Sequence, residues 1–70
     1  MRYFVLVYDH STGTLLELAE YDDGAEALVA WGRRERREGK RPELEVRLIA
    51  ARSLEVLKAR HPEYFPEDGS

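Results

Sequence analysis

The sequence predicts an α+β fold with element order β-β-α-β-α. A three-stranded antiparallel sheet in spatial order 2-1-3 packs against one long helix, and a short second helix follows near the C-terminal end. Three observations carry this reading. Tyr3-Phe4-Val5-Leu6-Val7-Tyr8 is apolar on both faces of a strand, whereas a strand in a one-sided sheet alternates apolar with polar. Two strand-like runs flank a short turn containing Gly13. Asp22-Asp23 then opens a charged stretch whose small and apolar residues recur at helical spacing.

The first strand is expected over residues 2–8, with Phe4, Leu6 and Tyr8 on one face and Tyr3, Val5 and Val7 on the other. Asp9-His10-Ser11-Thr12-Gly13 is rich in turn formers, and Gly13 can take the left-handed conformation that closes a hairpin loop. The second strand is expected over 14–20. The first helix follows over 24–38, capped by Asp22 or Asp23, with Gly24, Ala27, Leu28 and Trp31 as its inward stripe. Gly39 and Pro42 stop it.

The third strand, over 43–51, alternates Leu44, Val46 and Leu48 with Glu43, Glu45 and Arg47, and Ile49 adds an apolar group to the polar face. Ser53 caps a second helix over 54–60, which Pro62 ends, and Tyr64 and Phe65 can fold back as an aromatic plug. Residues 1–65 read as a single α+β domain and 66–70 as a frayed tail.

The doubly apolar first strand belongs in the middle of the sheet. In the resulting arrangement Phe4, Leu6, Leu16, Leu18, Leu44, Val46 and Leu48 face the long helix. The opposite face, with Tyr3, Val5, Val7, Leu15, Tyr21 and Ile49, has only the short helix for cover, so it is the expected partner face.

Seventy residues make one small domain, which buries only about 60% of its unfolded surface. Such chains are commonly reinforced by disulfides, a metal or oligomerisation. The chain has no cysteine, which leaves oligomerisation, with a homodimer as the simplest form. No apolar run approaches the roughly 20 residues of a membrane span, and no secretion signal is evident, so a cytoplasmic location and no membrane partner are expected. Asn and Gln are absent and Arg far outnumbers Lys. Scarcity of heat-labile residues fits a thermophile.

No motif encodes chemistry. Asp9-His10-Ser11 holds the residue types of a catalytic triad, but three neighbours in a turn lack the converging geometry. His10 and His61 stand apart without metal-ligand spacing, and no phosphate-binding glycine loop is present. Neither enzymatic activity nor a cofactor or metal is therefore expected. The net charge of −3 conceals a basic segment, Arg33, Arg34, Arg36, Arg37, Lys40 and Arg41, interrupted by Glu35 and Glu38.

Met1–Asp9 with Ser11-Thr12-Gly13, the Arg-rich helix and His61-Pro62-Glu63-Tyr64-Phe65 together resemble small uncharacterised ββαβα proteins of GC-rich bacteria. That resemblance implies the fold and no activity.

The leading functional expectation is a non-enzymatic interaction module that self-associates or binds a protein partner through an open sheet face or exposed strand edge. The alternative is an RNA- or DNA-binding module that uses the basic segment for phosphate contacts. A third is a ligand-binding protein or enzyme with a small pocket between the sheet and the second helix.

Overall fold

The computed structural model describes residues 1–66; the tail expected at 66–70 therefore lies almost wholly outside the described residues. Its elements are β1 (Arg2–Asp9), β2 (Thr14–Tyr21), α1 (Gly24–Glu38), β3 (Leu44–Ala51) and α2 (Leu54–Arg60), followed by a 3₁₀ turn at Pro62–Tyr64. The sheet order is β2-β1-β3, with both neighbours antiparallel to β1. The predicted α+β class, element order and strand order are those observed.

Local chemistry sets each boundary. Gly13 adopts φ 67°, and its N–H donates to the Asp9 carbonyl at 2.8 Å, which closes the hairpin. The Asp23 carboxylate accepts the Ala25 N–H at 2.9 Å and caps α1. Ser53 caps α2 in the same way, accepting the Val56 N–H at 3.2 Å.

The faces are assigned differently from the sequence expectation. Phe4 and Leu6 pack not against α1 but in a core with Ala51, Leu57, Tyr64 and Phe65 on the α2 side. Val5 packs with Ala27 and Ala30 under α1, flanked by Tyr3, Tyr21, Trp31 and Leu48. Pairing explains the exchange. Val5 lies opposite Leu48 and Val7 opposite Val46, so the apolar face of β3 joins Val5 and Val7, not Phe4 and Leu6. A one-residue change of register moves every side chain to the other face. Because β1 is apolar on both faces, its own sequence does not select between them.

Side-chain size then matches each helix to its face. Gly24, Ala27 and Ala30 let α1 approach the Tyr3 and Val5 face closely; a Cβ at Gly24 would stand 3.2 Å from the Tyr3 ring. The wider space over Phe4 and Leu6 is filled by Leu57, Tyr64 and Phe65, so the expected aromatic plug is in place.

The inward stripe of α1 is also corrected. Ala27 and Ala30 are buried and Trp31 is half-buried, with its indole N–H donating to the Val46 carbonyl at 3.3 Å. Leu28 points outward and is 56% exposed.

Candidate interaction surfaces

The six residues expected to form an open partner face do not share one. Tyr3, Val5, Val7 and Tyr21 lie on the α1 side, where Val5 and Val7 are fully buried within the chain. Leu15 and Ile49 pack on the opposite side against the Phe4 and Leu6 core. Two helices on opposite faces thus bury Phe4, Leu6, Val5 and Val7 of β1 completely.

That cover is uneven. Both helices lie chiefly over β1 and β3, and β2 is the less protected edge. Its register brings Leu18 opposite Leu6 and Leu15 opposite Tyr8, with one extra residue in β2 at the irregularity between these pairs. Leu15 reaches the core, but Leu16 is 48% exposed and Leu18 is 37% exposed. The outer N–H and C=O groups of β2 have no strand beside them. The adjacent Leu15-Leu16 pair, which breaks the polar alternation of β2, is the sequence signal for this patch.

The basic segment is divided by its ion pairs. Arg34 and Arg37 both hold Glu17 of β2, and Arg37 also contacts Glu38 at 3.0 Å. Arg41 pairs with Glu43 at 3.3 Å. Burial tends to lower the Arg37 pKa, but Glu38 and Glu17 outweigh it and raise it. Among the described residues no ion pair involves Arg33, Arg36 or Lys40, so three of the six cations remain uncommitted. The sequence does not reveal that Glu17 tethers α1 to β2.

A second polar cluster surrounds Glu45. Its carboxylate accepts the Tyr64 hydroxyl at 2.7 Å, meets His10 Nε2 at 2.6 Å and pairs with Arg47 at 3.3 Å. Arg47 also donates to the Tyr64 oxygen at 2.8 Å. The rings of His10 and Tyr64 both stand edge-on to Tyr8. Burial raises the Glu45 pKa, but hydrogen bonds from Tyr64, His10 and Arg47 bring it below the ordinary carboxylate value. Burial first, and then Glu45, push the Tyr64 phenol up. Every polar group in this cluster has a partner, and the cluster ties the hairpin loop, β3 and the C-terminal turn together. It holds no free nucleophile.

Asp9 and Ser11 form a turn of their own. The Ser11 hydroxyl and N–H donate to one Asp9 carboxylate oxygen at 2.6 and 2.9 Å. The hydroxyl bond is the main cause of the lowered Asp9 pKa. His10 points away to Glu45, so Asp9, His10 and Ser11 make no relay. Among the described residues no group of three His, Cys, Asp or Glu side chains could hold a metal ion.

A shallow open hollow of about 420 Å³ lies beside α1, lined by Tyr21, Ala25, Glu26, Val29, Ala30 and Arg33. No helix among the described residues is long and apolar enough to cross a membrane. No protein-family model matches the chain, and no curated protein or solved structure matches it.

Proposed function

We propose that the protein is a non-enzymatic interaction module that recruits another polypeptide strand, from a second copy or a different protein, through the outer edge of β2. The observation that carries this reading is the coincidence of Leu16 and Leu18, both exposed, with a strand edge that has no neighbour. An edge strand offers a row of backbone donors and acceptors to an incoming strand. Backbone pairing supplies affinity in such strand addition, and flanking side-chain contacts supply selectivity. The fitting partner is an extended segment with apolar side chains opposite Leu16 and Leu18.

The test is a panel of extended peptides and the chain itself, titrated against the protein while backbone amide exchange is followed. Binding that protects the outer amides of β2, and that Leu16→Glu with Leu18→Glu abolishes, is the expected result. Binding that leaves those amides unprotected would overturn it.

A further inference from the structure

We propose that the flank of α1 bearing Glu26, Val29 and Arg33 is a self-complementary surface that takes a second copy of this chain, with the two α1 helices antiparallel. This surface adjoins Tyr21 at the end of β2 but does not include Leu16 or Leu18. Val29 stands near the middle of the helix and is 54% exposed, next to the hollow that Ala25, Glu26 and Arg33 help to line. Glu26 and Arg33 are seven residues apart, about two turns, and therefore lie along one line of the helix. Among the described residues neither has an ion-pair partner.

A twofold axis crossing α1 beside Val29 and Ala30 preserves that line and reverses its direction. It places Arg33 against Glu26 of the second copy, and Glu26 against Arg33 of the second copy. The acidic beginning and basic end of this one face therefore match themselves when reversed, which is what an isologous interface requires. Antiparallel helix dipoles add to the match. Val29 and the hollow supply the apolar centre.

The test is sedimentation equilibrium of the full chain from micromolar to millimolar concentration, at low and high salt, with circular dichroism to show that each variant is folded. The expected result is a monomer–dimer equilibrium that salt weakens. Glu26→Arg and Arg33→Glu each set like charges opposite one another twice, and each should weaken dimerisation about tenfold or more. The double variant Glu26→Arg/Arg33→Glu exchanges the two charges and should restore it. The Leu16→Glu/Leu18→Glu variant should dimerise as the parent does, which separates this inference from the β2 reading. A chain monomeric throughout, a charge-exchanged double variant that fails to recover, or a dimer lost only on changing Leu16 and Leu18 would each overturn it. So would a monomer that binds a single-stranded oligonucleotide through Arg33 and Arg36, because the face would then be a phosphate-binding one.

Discussion

The Tyr64 hydroxyl donates to the Glu45 carboxylate at 2.7 Å while accepting from Arg47 at 2.8 Å, and this relay fastens the C-terminal turn to β3. Tyr64 is almost fully buried. Tyr64→Phe keeps the ring and removes the relay, and should cost about 0.5–1.5 kcal/mol. Tyr64→Ala also empties part of the core and should cost about 3–5 kcal/mol, as for other large aromatic truncations. Urea unfolding of the three proteins measures both differences.

Acid should weaken the fold in two places. Asp9 and Glu45 both titrate below their ordinary values of 3.8 and 4.5 in the folded chain. A carboxyl with a lowered folded pKa binds fewer protons folded than unfolded. Its contribution to stability is therefore complete above the ordinary value and is lost as pH falls through the folded one. Glu45→Gln should flatten the fall in stability below pH 4.5, while Ser11→Ala should do so by releasing Asp9. Thermal unfolding across this range would show both effects, and a parallel acid limb in the variants would contradict them.

Gly24 brings the start of α1 close to the sheet. Its missing Cβ leaves room for the Tyr3 ring, which would stand only 3.2 Å away. Gly24→Ala sets a gain of up to about 1 kcal/mol in helix propensity against that contact, so the net change should be small. Gly24→Val has no room for its branches and should cost about 1–3 kcal/mol. Guanidinium unfolding distinguishes the two.

Leu57 and Leu28 test the corrected placement of the helices. Leu57 of α2 is fully buried, and Leu57→Ala should cost about 2–5 kcal/mol. Leu28 faces out, and Leu28→Ala should fall within about 0.5 kcal/mol of the parent. The inward stripe expected from sequence alone requires a large loss at Leu28 as well.

Much of the architecture was legible in the residues. Gly13 marks the hairpin, Asp23 and Ser53 mark the helix starts, and the two-sided apolarity of Tyr3–Tyr8 places β1 at the centre of the sheet. These are local signals, since each depends on backbone conformation or side-chain periodicity within a few residues. The candidate surfaces were only partly legible. The six basic residues could be named, but not that Glu17, Glu38 and Glu43 occupy three of them. Leu16 and Leu18 looked like core because strand periodicity shows which face a side chain takes, not how far a helix extends across that face.

The sequence by itself determined the order of elements, their caps and turns, and the need to cover β1 on both sides. Tertiary structure decided which helix covers which side. A strand apolar on both faces has two solutions at the level of pattern. The register with β3 and the size of the facing side chains selected one of them: Gly24, Ala27 and Ala30 close against Tyr3 and Val5, and Leu57, Tyr64 and Phe65 fill the space over Phe4 and Leu6. With both helices drawn toward β1 and β3, Leu16 and Leu18 stay exposed along β2.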